Sequence, residues 1–227
     1  LVFLLLFTST GKLFSLIQFI AFFGPLIGIV LGFDAINKER SSRTLSKVIS
    51  QPIYRDAVIN GKFLAGVIII TVMLFAIILL ISGLGLTLIG VVPGPEEIGR
   101  LFIYLIISIF YISFWLGVSI LFSILFRNIA TSALAAVACW IFFSFFIAIG
   151  AGIAADMIAP VDQNSVAANP ERLLQHEQAR NILSLLSPMT LYSEGTTTIL
   201  DPMRKTTQTI LLMGPMERLS LSRFQNP

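Results

Sequence analysis

The residues that could carry nucleophilic, metal or nucleotide chemistry are few and scattered in this sequence. It contains one histidine, His176, and one cysteine, Cys139. A zinc site needs several such ligands and a disulfide needs two thiols, so the sequence predicts neither, and His176 is interpreted as a surface helix residue. No segment has the G-x-x-x-x-G-K-[ST] pattern that cradles phosphates, and the Gly61–Lys62 pair is followed by Phe63. Nucleotide chemistry must therefore come from another chain.

Serine hydroxyls recur within the apolar part of the chain, at Ser108, Ser113, Ser119 and Ser123. A serine nucleophile needs a neighbouring base, and no histidine or lysine occurs in the apolar runs. The pattern therefore argues against an intramembrane hydrolase. We expect these serines to bond their own helix or a neighbouring one, and we predict no catalytic residue, cofactor-binding residue or metal ligand in this chain.

Four long apolar runs make up most of the first 155 residues and must hold any functional side chains in place. They cover residues 13–33, 63–89, 101–126 and 129–155, and each reaches the roughly 20 residues that a helix needs to cross a bilayer. With 56% hydrophobic and 12% charged residues, the composition excludes a water-soluble core. The formal charge of +3 is too scattered to form a nucleic-acid-binding stripe. The sequence predicts an all-α, polytopic transmembrane helical bundle over residues 1–155.

The distribution of charge predicts the orientation of this bundle. The connection 34–62 is rich in lysine and arginine, so the positive-inside rule places it in the cytoplasm. The acidic connection 90–100 then lies outside, the turn at Arg127 inside, and residues 156–227 form an extracytoplasmic region of helices and loops. Four spans that start and finish outside are unusual. We therefore expect one further span before Leu1 and another after Pro227, giving six.

The connection 34–62 has the pattern of an amphipathic helix followed by a break. Ile36, Leu45, Val48 and Ile49 fall near one side of a helical projection, with cations elsewhere. Such a helix lies at the membrane interface with its cations near anionic lipid. Pro52 ends it, because proline lacks the N–H that a helix requires. The predicted result is an elbow; an ordinary basic loop is the alternative.

The residues of this elbow resemble the type-2 ABC transporter permease family. That family has an Asp, a Glu about five residues later, a small-Thr-Leu step, a Ser-x-Pro-hydrophobic-x-Arg step and a Gly-Lys at the start of the next span. The matching residues here are Asp34, Glu39, Thr44, Leu45, Ser50, Pro52, Arg55, Gly61 and Lys62. The sequence departs from the pattern at Arg43, where the family commonly has glycine.

The resemblance implies that the elbow is a coupling element that docks on a separate ATP-binding subunit. The residues that would couple this chain to its partner are then Asp34, Glu39, Arg40, Thr44, Leu45, Pro52, Arg55, Gly61 and Lys62. ATP and Mg²⁺ would be held by the partner, and the assembly would contain two ATPases and two permeases, the second a copy or a paralogue. The resemblance also implies outward transport at the plasma membrane. An anchoring or assembly factor whose basic loop touches lipid is the alternative function.

Two further features leave alternatives open. Gly24, Gly28 and Gly32 recur every four residues and so line one face of the first span, where small residues permit close helix approach. This face is either an internal packing seam or a self-association seam. The region 156–227 is either a cap on the spans or a substrate lid. No charged residue lies deep in any apolar run, which argues against ion-coupled transport and leaves ATP as the energy source.

Overall fold

The computed structural model describes residues 15–42, 55–90, 92–158 and 170–200, and within these ranges it contains helices and no strand. The helices are α1 (Leu16–Gly32), α2 (Asn37–Ser41), α3 (Arg55–Ile89), α4 (Pro95–Leu125), α5 (Ile129–Ile141), a π-helical segment (Phe142–Phe146), α6 (Ile147–Ile158), α7 (Pro170–Ser184) and α8 (Pro188–Leu200). Four stretches in the described residues are long and apolar enough to cross a membrane: Leu16–Ser41, Asp56–Thr87, Pro95–Leu125 and Ile129–Ile158. The predicted all-α bundle of four visible spans is confirmed.

Two of these helices begin earlier than the apolar runs that predicted them. Helix α3 begins at Arg55, where the apolar run begins at residue 63, and α4 begins at Pro95, where the run begins at 101. Hydropathy marks where a helix becomes apolar, and polar first turns extend beyond that point. In α4 the first turn is stabilised by Pro95 at its first position and by Glu97, whose Oε2 accepts the Gly94 N–H at 2.9 Å.

Helix α4 is the centre of the bundle. It packs against α1, α3, α5 and α8. Its fully buried side chains recur at helical spacing: Tyr104, Ser108, Ile112, Trp115 and Ser119. Because several of these side chains are polar, α4 can bond neighbouring helices as well as pack against them.

Helix α1 contains a proline, and α4 bonds the carbonyl oxygen that this proline leaves without a partner. Pro25 has no N–H, so the carbonyl of Ala21, four residues earlier, loses its usual helical partner. The Tyr111 hydroxyl of α4 donates to this Ala21 oxygen at 2.8 Å. A bond that α1 cannot make within itself is thus made between helices, which fixes α1 against α4 at this level.

The fourth span is interrupted by the π-helical segment. Its phenylalanines point outward from the bundle, whereas Ser144 is buried. Beyond it, α6 packs against α7, and His176 Nε2 lies 2.8 Å from Asp156 Oδ1. Helix α8 then packs against α4 and α1, so the region after the fourth span returns to the bundle.

Candidate coupling site at the elbow

Residues 33–42 follow α1 and contain the short helix α2. They are the described part next to α1 of the connection that was predicted to form an elbow over 34–62, and they are called the elbow from here on. The structure describes the predicted coupling residues Asp34, Glu39, Arg40, Gly61 and Lys62. It places the last two within the first turns of α3, beside the elbow, so both lie at one end of the bundle, called here the elbow end. The predicted residues Thr44, Leu45 and Pro52 lie outside the described ranges, as does the side chain of Arg55, the first residue of α3.

An ion pair joins the elbow to α3. Lys62 Nζ lies 2.7 Å from Glu39 Oε1, and about a quarter of each side chain is exposed, 26% and 28%. Pairs with this degree of exposure contribute about 1 kcal/mol or less, because water screens them. The pair therefore orients α3 relative to the elbow, but it is too weak to be the main attachment.

A serine of α4 holds the elbow more firmly. Ser123 is fully buried, and its Oγ accepts the backbone N–H of Ile36 at 3.1 Å and of Asn37 at 3.2 Å. These two amides stand at the start of α2, where the first N–H groups of a helix have no carbonyl within the helix to bond. No side chain of the elbow itself caps α2. Ser123 therefore supplies from α4 the acceptor that the elbow lacks.

The outward side of the elbow is polar and cationic. Lys38, Arg40, Ser41 and Ser42 are exposed, whereas Asp34 is half-buried. Gly61 has open space around it, since a Cβ added there would meet nothing within 4 Å.

A buried amide lies under this surface. Asn37 has only 1% of its surface exposed, and within the described residues neither its Oδ1 nor its Nδ2 has a hydrogen-bond partner. Burying an unpaired amide costs free energy, typically about 1–3 kcal/mol. Among the described residues, the packing around Asn37 therefore offsets this cost without a hydrogen bond to its amide.

The glycine stripe of α1 lies against α4. A Cβ at Gly28 would lie 2.7 Å from the carbonyl oxygen of Ile112, and one at Gly32 would lie 2.9 Å from the carbonyl oxygen of Leu116. One at Gly24 would meet the Ile112 side chain at 3.0 Å. These glycines therefore face the inside of the bundle, and the approach they permit brings the elbow within reach of Ser123.

A second polar cluster lies toward the opposite end, where α8 meets α4. The Tyr192 hydroxyl is 2.8 Å from Ser108 Oγ, and its ring stacks on that of Tyr111 with centroids 4.3 Å apart. Arg100 Nη1 donates to the Ile199 carbonyl oxygen at 2.8 Å. Ser108 lies about 20 Å along α4 from its first residue, at 1.5 Å per residue. Helix α8 thus reaches the depth of the spans.

The contacts of α4 have only a partial signal in the amino-acid sequence. Ser119 and Ser123 are one helical turn apart in an apolar run, which indicates a polar stripe on α4, and Ser119 Oγ donates to the Ile29 carbonyl oxygen of α1 at 2.9 Å. Their partners are backbone atoms, which have no sequence signature. Helix α8 was missed: Thr196, Thr197 and Thr198 were interpreted as turn and loop, whereas the structure places them in a helix that packs on the bundle.

Comparison with known families gives one result. The sequence model of a family described as ABC-2 family transporter protein matches residues 5–221. A search of curated proteins and a search of solved structures found no match. The matched range includes all four spans, the elbow and α8, and the predicted resemblance is confirmed.

Proposed function

Because the chain belongs to the ABC-2 family of transporter proteins, we propose that it is the permease subunit of an exporter driven by a separate ATP-binding subunit. ATP and Mg²⁺ are held by that subunit, and two permeases assemble with two ATPases in the plasma membrane. The elbow faces the cytoplasm and docks on the ATPase. The chain itself is a multi-pass membrane protein of a transport family.

The attachment of the elbow to two different spans carries this proposal. Glu39 is paired with Lys62 of α3, and Ile36 and Asn37 are bonded to Ser123 of α4. A partner that moves the elbow therefore moves α4 through the Ser123 contacts, as in rigid-body transmission between domains, and the weaker ion pair orients α3 relative to the elbow. A loop that only touched lipid would need neither attachment.

Docking is tested by co-purification. The full chain is expressed with a tag in its own host, solubilised and captured, and the co-purifying proteins are searched for a P-loop ATPase. We expect the ATPase to be recovered, and we expect Arg40→Glu to reduce its recovery, because a reversed exposed charge upsets electrostatic complementarity at a docking surface. Arg180→Glu, an exposed cation on α7, is the matched control and should not reduce recovery.

Transmission is tested separately on the ion pair. Glu39→Lys and Lys62→Glu each place like charges together and should lower the ATPase response of the reconstituted complex, measured per molecule of ATPase bound. The double exchange, Glu39→Lys with Lys62→Glu, restores an ion pair and should restore the response. Failure to recover any P-loop ATPase with the unaltered chain would favour an anchoring role instead.

A further inference from the structure

The contacts of Ser123 point to a role beyond packing. It lies in the last turn of α4, has no exposed surface, and accepts two backbone N–H groups that are 87 and 86 residues away in sequence. One hydroxyl oxygen thereby joins the third span to the elbow. The ion pair to α3 is exposed to water, whereas this attachment is buried.

The neighbouring contacts explain why Ser123 is placed to act on the elbow. One turn earlier, Ser119 donates to Ile29 in the body of α1, and the Gly32 position meets the backbone of α4. The last turn of α1 is therefore already fixed to α4. After Gly32 the contacts of Ser123 continue this attachment into the start of α2.

We propose that Ser123 is a positioning residue for transport: its hydroxyl holds the start of α2 so that a displacement of the elbow is passed to α4. This inference rests on the proposed function. With the hydroxyl present, elbow and α4 move as one body. Without it, the buried amides of Ile36 and Asn37 lose their acceptor, and the elbow moves together with the ATPase while α4 keeps its position.

The first measurement follows the elbow amides by hydrogen exchange in the purified complex of permease and ATPase. Ser123→Ala should speed exchange in the peptide that contains Ile36 and Asn37 by roughly tenfold or more, because removal of a buried acceptor shifts the docked state of the elbow by about that factor. Ser123→Thr keeps a hydroxyl and should keep slow exchange. Ser119→Ala, another fully buried serine of α4, should also leave this peptide protected.

The second measurement follows α4 itself. Spin labels at Met157→Cys on α6, which has no described contact with the elbow, and at Leu125→Cys on α4, both exposed positions, are placed in a Cys139→Ala background. Their separation is compared without nucleotide and after trapping with ATP and vanadate. We expect the nucleotide-driven movement of α4 in the unaltered chain to be lost in Ser123→Ala and to be retained in Ser123→Thr and Ser119→Ala.

The outcomes separate this inference from the proposed function. If nucleotide changes no distance in the unaltered complex, the ATP-driven role fails. If α4 moves equally in the unaltered chain and in Ser123→Ala, or if Ser123→Thr behaves as Ser123→Ala, the positioning role is overturned and the ATP-driven role stands. Should Ser123→Ala not accumulate, Ser123→Cys keeps the volume with a weak acceptor, and its exchange is compared with that of Ser123→Thr.

Discussion

The close approach of α1 to α4 predicts a large effect from the smallest possible substitution. In Gly28→Ala the new Cβ would lie 2.7 Å from the carbonyl oxygen of Ile112 and 3.0 Å from the N–H nitrogen of Leu116. Both neighbours are backbone atoms, so no side-chain rotation relieves the contact. Ordinary contact begins at 3.4 Å, so the two helices would have to separate by about 0.7 Å.

That separation also breaks a bond between the helices. The Ser119–Ile29 hydrogen bond of 2.9 Å would lengthen to about 3.6 Å, beyond hydrogen-bonding distance. Overpacking costs about 1–3 kcal/mol, and an interhelical hydrogen bond in a membrane is worth about 0.6 kcal/mol. We therefore expect Gly28→Ala to lower the free energy of unfolding by about 2–4 kcal/mol, which corresponds to a melting temperature lower by roughly 4–16 °C.

The assay uses the chain's own cysteine. A thiol-reactive dye reports the release of Cys139, half-buried in α5, during heating of the detergent-solubilised protein. Gly83→Ala in α3 is the matched control, because its Cβ would meet nothing within 4 Å. Gly24→Ala should fall between the two, since its nearest neighbour, at 3.0 Å, is a side-chain atom of Ile112 rather than a backbone atom. Equal melting of Gly28→Ala and Gly83→Ala would refute the packing of α1 on α4.

Three further substitutions test individual contacts. Tyr111→Phe should lower the melting temperature, because it removes the donor to Ala21, and the loss should be smaller when Pro25→Ala supplies a backbone N–H instead; additive losses in a double-mutant cycle would contradict this. Asn37→Leu should keep or raise the melting temperature, because it replaces a buried amide that has no partner in the described residues; a clear fall would mean that the amide is bonded. Arg100→Lys should speed amide exchange at the end of α8, because lysine has no planar fork to bond a neighbouring carboxylate and a carbonyl together; unchanged exchange would show that the arginine does not hold α8.

The class of fold was predictable because it rests on many residues at once. Each span sums the hydropathy of more than 20 residues, so a few polar ones such as Ser119 do not obscure it. The glycine spacing predicted that another helix approaches α1 closely, because Gly24, Gly28 and Gly32 recur at one helical period and so lie on one face. The partner of that face was not predictable, because the backbone of Ile112 and Leu116 carries no pattern of its own.

The candidate site was predictable only along the chain. Glu39 and Lys62 were both assigned to the connection 34–62, but not to each other. The structure places Lys62 Nζ 2.7 Å from Glu39 Oε1. For Ser123 the sequence predicted only a hydrogen bond to its own helix or to a neighbouring one. Its actual partners, the amides of Ile36 and Asn37, are far away in sequence and have no local signature. The same holds for the contact of Tyr192 with Ser108, which are 84 residues apart. Contacts between distant residues depend on how the helices pack, which no local pattern specifies.

The proposed coupling requires that the elbow faces the cytoplasm and binds an ATP-binding subunit. The direct test is thiol labelling of Ser41→Cys, an exposed elbow position, in a Cys139→Ala background. We expect a membrane-impermeant reagent to leave intact cells unlabelled, to label inverted vesicles stripped of the ATPase, and to label them less when the ATPase is bound. Labelling of intact cells from outside would contradict the orientation, and with it the proposed coupling.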